Sequence, residues 1–184
     1  EGLFPGTIEA IDRRTKIDAL IEEVWHLYHT YDSHQGVQLV FCDLFTPKRP
    51  SGDMALRAAA PAERWEALGL YGVIDDRLVA AGVLRREIAF IHDATSDAER
   101  SVLFQAANAG RIRVLIGSTQ KMGTGVNVQA RALAAHHVTV PWRPDWLKQA
   151  DGRVQRPGNF FTAVYIVSYP TVGSYDTVLW QIVE

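Results

Sequence analysis

Helix-like and strand-like segments alternate along the whole of this chain, which leaves few folds open to it. Residues 15–31 place apolar side chains at intervals of three and four, which predicts a helix with one buried stripe. Residues 37–42 form a mainly apolar run that ends at Asp43, as is typical of a buried strand. Further strands are predicted at 88–91, 113–117, 136–140 and 162–168, and further helices at 63–81, 96–110, 145–156 and from Ser174 onward. We therefore predict an α/β fold, in which a parallel sheet carries helices on both faces.

Local signals mark several helix ends and one insertion. Ser96 and Glu99 form a capping box, and Gly82 is a good left-handed terminator for the preceding helix. Pro144 is tolerated in a first helical turn, because no backbone donor is lost there. Residues 47–61 hold three prolines and an alanine cluster, and we interpret them as a flexible insertion in one domain of 184 residues.

Composition excludes several classes of protein. Apolar residues make up 47% of the chain and charged residues 22%, which is enough to bury a core and excludes general disorder. No apolar stretch approaches the ~20 residues that span a bilayer, and no secretory signal is recognised. The single cysteine, Cys42, excludes an internal disulfide and a multi-thiolate zinc site. We expect a soluble, cytoplasmic protein with no membrane partner.

Charge is concentrated in one part of the chain. The net charge is −2, yet residues 100–160 hold nine basic and two acidic residues, a local balance of +7. Such a stretch can present a positive surface to phosphates, although most of these cations individually are expected to be solvated surface residues.

Two segments carry side chains suited to phosphate binding. In residues 118–127, Gly123 and Gly125 let the backbone approach a ligand, and Lys121 can pair with phosphate oxygens; an ordinary turn is the alternative. Gln149, Arg153 and Arg156 are spaced to share one face of a helix, where guanidinium groups suit phosphate oxygens; a solvated stripe is the alternative. Gly152, between them, indicates either a close approach of another group or a frayed helix. No GxxxxGK[ST] cradle occurs in the chain.

Together, the two segments resemble the second RecA-like lobe of superfamily two helicases, particularly Swi/Snf-type translocases. Thr119 is followed by Gly125-Val126-Asn127, with the asparagine eight residues after the threonine, as in motif V. Trp142-Arg-Pro144 precedes Gln149-Ala-Asp-Gly-Arg153-Val-Gln-Arg156-Pro-Gly158, as in motif VI. More narrowly, residues 39–43, 91–94, 137–144 and 179–184 are similar to helicase-like C-terminal regions of bacterial, phage and mobile-element proteins, which are often joined to adenine-specific DNA methylases.

The resemblance implies the second lobe of an ATP-dependent DNA helicase or translocase, inactive without a first lobe that binds most of the ATP and Mg²⁺. DNA and that N-terminal lobe are the implied partners, and a linked DNA methyltransferase domain is a further one. The resemblance implies that Arg153 and Arg156 are arginine fingers, supported by Gln149. It implies nucleotide contacts for Gly123, Gly125 and Asn127, and DNA-phosphate contacts for Ser118, Thr119 and Lys121. The Pro157 that follows Arg156 departs from the usual pattern.

Other functions remain as alternatives. The lobe could be a degenerate, non-hydrolysing DNA-binding or docking module attached to a methylase, or a free-standing nucleotide-binding protein. A metal site is not predicted, because neighbours such as His136 and His137 point to opposite faces of a strand. Both are expected in the core or lining a cleft, and Cys42 is interpreted as a buried thiol. Trp142 and Trp146 could stack on bases or pack beneath the motif VI helix.

Overall fold

The computed structural model describes residues 15–48, 56, 59–123, 127–141, 143–171 and 173–183. Its sheet has five parallel strands in the order β2-β3-β1-β4-β5. The strands are β1 (Val37–Phe41), β2 (Ile88–Phe90), β3 (Val114–Gly117), β4 (Ala132–His137) and β5 (Tyr165–Ser168). Non-consecutive neighbours require crossover connections, and the helices between the strands supply them. The predicted parallel α/β fold is confirmed.

The described helices are α1 (Lys16–Thr30), α2 (Pro61–Leu68), α3 (Leu70–Ala81), α4 (Asp97–Asn108), α5 (Thr119–Gly123), α6 (Pro144–Val154) and α7 (Tyr175–Val183). The predicted capping box of α4 is present, with Ser96 and Glu99 satisfying each other's backbone donors. Gly82 ends α3 in the left-handed conformation, as predicted. None of the described helices is long and apolar enough to cross a bilayer.

Helices cover both faces of the sheet, and the strand alternation divides the core between them. On what we call the α1 face, Leu20 and Val24 of α1 pack with Ile74 of α3 against side chains such as Val40. On the opposite face, which we call the α6 face, Ala150 and Val154 of α6 pack with buried side chains of the sheet and of α4 and α5, namely Val37, Leu39, Phe41, Ala107, Leu115 and Met122.

The position of β4 differs from the prediction. Residues 136–140 were expected, whereas the strand runs from Ala132 to His137 and then leaves the sheet. Alanine has a weak intrinsic preference for strands. Here the small side chains Ala132, Ala134 and Ala135 are fully buried in a strand flanked by β1 and β5, so tertiary packing overrides local propensity.

The predicted helix at 63–81 is two helices, α2 and α3, separated at Gly69. Gly69 has φ +60°, and a Cβ there would lie 2.0 Å from the carbonyl oxygen of Phe45. The same carbonyl accepts a hydrogen bond from the backbone N–H of Leu70 at 3.3 Å. The loop after β1 therefore interrupts the helix, and only glycine accommodates that approach without strain.

The interpretation of residues 47–61 as a flexible insertion falls largely outside the described residues. Within it, Leu56 is fully buried in the α1-face core, and its carbonyl accepts a hydrogen bond from Arg64 Nη1 at 3.1 Å. At least this part of the segment therefore contributes to the core.

Burial opposes ionisation of nearby Asp75 and raises its pKa, although Arg85 and Arg64 both pair with it.

Candidate functional site

The loops that follow β1, β3 and β4 are joined by hydrogen bonds at the carboxyl edge of the sheet. The Asp43 carboxylate accepts the backbone N–H and the hydroxyl of Thr119, both at 2.7 Å. The backbone N–H of Asp43 in turn donates to Thr139 Oγ1 at 2.9 Å. One carboxylate directly after β1 therefore positions the first residue of α5, the helix of the predicted motif V.

The predicted motif V residues lie in and around α5. Lys121 is exposed, and the Ser118 hydroxyl accepts the backbone N–H of Lys121 at 3.3 Å. Gly123 is the last residue of α5, and Asn127 is exposed, with its carbonyl accepting a hydrogen bond from the Asn108 amide at 2.7 Å. Gly125 lies outside the described residues, so its predicted contact with nucleotide stays a prediction.

Thr119 differs from the expectation of a DNA-facing hydroxyl. Its side chain is only 1% exposed, and its hydroxyl donates to Asp43. Reaching a DNA phosphate would require this hydrogen bond to break. No local pattern could signal this contact, because Asp43 and Thr119 are 76 residues apart. Of the two neighbouring hydroxyls, that of the half-buried Ser118 is better placed for an external ligand.

The predicted motif VI segment forms α6, which follows β4 and packs against both α5 and β4. Pro144 occupies its first turn as predicted, and buried Ala150 and Val154 form its inner stripe. The helix ends at Val154, two residues before Arg156, so the predicted shared helical face holds only for Gln149 and Arg153. Pro157 cannot donate a backbone hydrogen bond and disfavours helical geometry in the residue before it, which explains the early end.

The structure nevertheless brings the two arginines together. Burial and then the nearby charge of Arg156 lower the pKa of Arg153. Arg156 is half-buried, and its Nε donates to the carbonyl of Gly152 at 2.9 Å, one turn back in α6. Gln149 is exposed on the same helix. A Cβ on Gly152 would meet nothing within 4 Å, so no part of the described chain makes the predicted close approach.

A contact that the sequence analysis missed joins α6 to the sheet. His137, the last residue of β4, is fully buried, and its Nε2 lies 2.7 Å from Oδ1 of Asp151. Its ring stacks on Phe41 with centroids 5.1 Å apart and meets Trp180 edge-on at 6.2 Å. His137 therefore lies in the core, one of the two places expected for it, but its acidic partner on α6 was not foreseen.

His136 points to the α1 face and completes a separate buried network. The Gln38 amide donates to the carbonyl of Val24 at 2.9 Å, so its oxygen is the atom that accepts from His136 Nε2 at 2.9 Å. His136 Nδ1 must then accept the Tyr169 hydroxyl at 2.7 Å, which identifies the neutral Nε2–H tautomer. Burial, followed by the neighbouring His137, lowers the pKa of His136 to about 3.

The nine basic residues of 100–160 do not form one uniform positive surface. Arg113 is buried and donates to carbonyls, Arg131 also donates to carbonyls, and Arg143 pairs with Asp145 at 3.0 Å. Among the residues that the structure describes, no group of three or more potential ligands could hold a metal ion. Trp146 is half-buried, with the Arg143 guanidinium 5.8 Å from its ring centroid; Trp142 is not described.

Comparisons with known proteins support a helicase lobe. Residues 74–158 match the family described as the helicase conserved C-terminal domain. A solved structure, the C-terminal part of the Fun30 ATPase domain, is similar with a TM-score of 0.60 and 20% sequence identity. The similarity covers 92% of this chain but 45% of that chain, so the present chain spans less than half the solved one. No curated protein is significantly similar in sequence.

The domain match and the five-stranded parallel sheet support a C-terminal RecA-like helicase lobe. The matched residues contain both α5 and α6, the segments predicted as motifs V and VI. At 20% identity the solved structure establishes the shared fold alone, and the roles of individual residues remain proposals.

Proposed function

We propose that this chain is the second lobe of an ATP-dependent DNA helicase or translocase, and that it supplies arginine fingers and part of the DNA-binding surface. The observation that carries the proposal is the proximity of the two motif VI guanidiniums. Arg156 Nε donates to the carbonyl of Gly152, the residue next to Arg153, at 2.9 Å, and both half-buried arginines belong to a segment that begins in α6, which packs against α5.

The donor set fits the phosphates of a nucleotide. Two cations held close together on a partly buried surface repel each other, and burial adds a further cost to the charge of Arg153. A phosphate anion would offset both costs, because planar guanidiniums bind phosphate oxygens through paired N–H donors. The exposed amide of Gln149, one turn before Arg153, can add another donor.

In the proposed mechanism, ATP with Mg²⁺ supplies the transferable phosphoryl group and is held mainly by a first lobe. Arg153 and Arg156 would bind near the γ-phosphate and neutralise the charge that develops there, with Gln149 in support. Gly123, Gly125 and Asn127 would line the nucleotide cleft. The lobe alone would therefore be inactive, because the primary phosphate cradle is missing from its sequence.

DNA contacts would come from the residues around α5. Lys121 and the Ser118 hydroxyl can bind backbone phosphates. Because α5 packs against α6, closure of the two lobes around a nucleotide would move the DNA-binding residues together with the arginine fingers. Such coupled closing and opening is what moves a lobe pair along a strand.

The test uses the intact ATPase, in which this lobe is joined to a first lobe. Arg153→Ala and Arg156→Ala should each lower DNA-stimulated ATP turnover by roughly 10³-fold while leaving DNA affinity unchanged, as loss of an arginine finger does. Lys148→Ala is the matched control, because it removes one positive charge from the exposed side of the same helix. Its turnover should stay near that of the parent protein.

Parental turnover in both arginine variants would refute the arginine-finger role. If the intact protein binds DNA but shows no DNA-stimulated turnover at all, the lobe is instead the non-hydrolysing module considered above, for which a linked DNA methylase would be the activity to seek.

A further inference from the structure

Hydrogen bonds tie α6 to β4 in its middle, through His137 and Asp151, and at its C-terminal end, where the Asn159 amide donates to the carbonyls of Val154 at 3.0 Å and Ala132 at 2.7 Å. The buried stripe of α6 consists of Ala150 and Val154, and apolar contact between small side chains is not directional. Its N-cap residue, Arg143, makes no side-chain capping hydrogen bond. The hydrogen bond from His137 to Asp151 is therefore well placed to set how the helix is rotated against the sheet.

Helical geometry relates this hydrogen bond to the proposed arginine finger. Successive side chains are rotated by about 100° around a helix, so Asp151 lies on one flank of the Ala150–Val154 stripe and Arg153 on the other. Gln149 lies beyond Arg153 on that same flank. A hydrogen bond that holds Asp151 against β4 consequently turns Arg153 and Gln149 to the opposite side.

The histidine itself is held on several sides. Phe41 stacks on its ring, Trp180 of α7 contacts it edge-on, and the side chain is fully buried. Its Nδ1 has no hydrogen-bond partner among the described residues, which leaves Asp151 as the hydrogen-bonding group that holds the ring. Since Nε2 must carry a proton to donate to a carboxylate, the contact has a defined donor and acceptor.

We propose that His137 and Asp151 are positioning residues, which set the rotation of α6 and so place Arg153 and Gln149 for ATP turnover. The inference rests on the proposed function, because it concerns the geometry of the same guanidinium. It predicts that breaking the contact lowers turnover, since displacement of a catalytic group by about 1 Å can reduce rates roughly 100-fold.

The experiment measures steady-state ATP turnover with DNA in the intact ATPase. His137→Phe and Asp151→Ala should each lower kcat by roughly 10- to 100-fold. The double variant should be no slower than either single variant, because both remove the same hydrogen bond. Asp151→Asn keeps an oxygen that can accept from His137 Nε2, so it should retain kcat within about threefold of the parent.

Tyr169→Phe is the matched control for a general loss of stability. It removes the 2.7 Å hydrogen bond to the adjacent buried histidine, His136, but on the α1 face of the sheet. It should lower the melting temperature about as much as Asp151→Ala, yet leave kcat near the parental value. A kcat loss in Tyr169→Phe equal to that in Asp151→Ala would reduce the role of Asp151 to stability and overturn the inference.

Three other results would also overturn it: parental kcat in Asp151→Ala, multiplicative losses in the double variant, or a loss in Asp151→Asn as large as in Asp151→Ala. The Arg153→Ala variant separates this inference from the proposed function. If Arg153→Ala abolishes turnover while the His137 and Asp151 variants do not change it, only the positioning role fails. If Arg153→Ala has no effect, the proposed function fails first.

Discussion

The two faces of the sheet use polar residues in different ways. On the α1 face, Gln38, His136 and Tyr169 form a hydrogen-bonded series that ends on the carbonyl of Val24. On the α6 face, His137 reaches Asp151, and the helix beyond it carries half-buried Arg153. Of two consecutive histidines in one strand, His136 thus belongs to a closed internal network, and His137 holds a surface helix.

The arginines also differ between a buried site, Arg113, and the surface segment that carries Arg153 and Arg156. The buried guanidinium of Arg113 donates to the carbonyls of Gly36 at 3.0 Å and Tyr28 at 2.8 Å, and it stacks over the Tyr28 ring at 4.4 Å. Arg153 and Arg156 instead lie half-buried on a surface segment, where burial and then the charge of Arg156 lower the pKa of Arg153. Positive charge alone therefore does not identify a functional arginine, whereas its neighbours do. Variants of the α1 face should change stability, and variants on the α6 side should change turnover or binding.

The largest effect on stability is expected for Arg113→Met. Removal of the guanidinium takes this donor from the carbonyls of Gly36, Tyr28 and Tyr31. It also breaks the ion pair with Asp32, and the free energy of unfolding should fall by about 3 kcal/mol. Urea titration measures this loss. The exposed neighbour Arg111 provides the control, since Arg111→Met should change stability by less than about 0.5 kcal/mol. If both variants unfold at the parental urea concentration, Arg113 is not a stabilising residue of the α1 face.

An intermediate effect is expected from the titration of His136. Its pKa is about 3 in the folded protein, lowered by burial and then by His137, against about 6.5 for an unfolded chain. Between these values the unfolded state binds more protons, so stability is complete above about pH 6.5 and falls towards pH 3, by up to about 1.4 kcal/mol per pH unit.

His136→Gln should flatten this dependence when unfolding free energy is measured by urea titration at several pH values. Burial, then the charge of Lys121, lowers the pKa of His92 to about 4, so His92 adds a slope of the same sign. Because both proteins retain His92, the difference between them isolates His136. Equal slopes in the parent and the variant would contradict the closed network.

The smallest effect is expected for DNA binding by the α5 residues. Lys121→Ala should reduce the slope of log affinity against log salt by about 0.9, the contribution of one phosphate contact on duplex DNA. Thr119→Val should leave that slope nearly unchanged and lower stability instead, because its buried hydroxyl donates to Asp43. Fluorescence anisotropy at several salt concentrations measures both. A larger change in slope for Thr119→Val than for Lys121→Ala would instead indicate that the Thr119 hydroxyl contacts a DNA phosphate.

Local patterns were sufficient for much of the fold. The apolar stripe of α1, the capping box of α4 and the glycine that ends α3 were all predictable, because each depends on residues within one or two turns of each other. Five strand segments separated by helices were enough to predict a parallel sheet, and the order of residues in α5 and α6 was enough to suggest a helicase lobe.

Distant contacts decided what those patterns could not. The Phe45 carbonyl divides one predicted helix at Gly69, and burial between β1 and β5 makes a strand of the alanines in β4. Asp43 engages the Thr119 hydroxyl, and His137 pairs with Asp151.

The succession of elements and the chemistry available in each follow from local patterns, because helix periodicity, capping and turn formation act between near neighbours. Which polar groups are paired internally and which face outward depends on the assembled fold, since hydrogen-bond partners such as Asp43 and Thr119 meet only when the strands come together. Burial and distance, which set the pKa of His136 and of Arg153, exist only in the assembled fold.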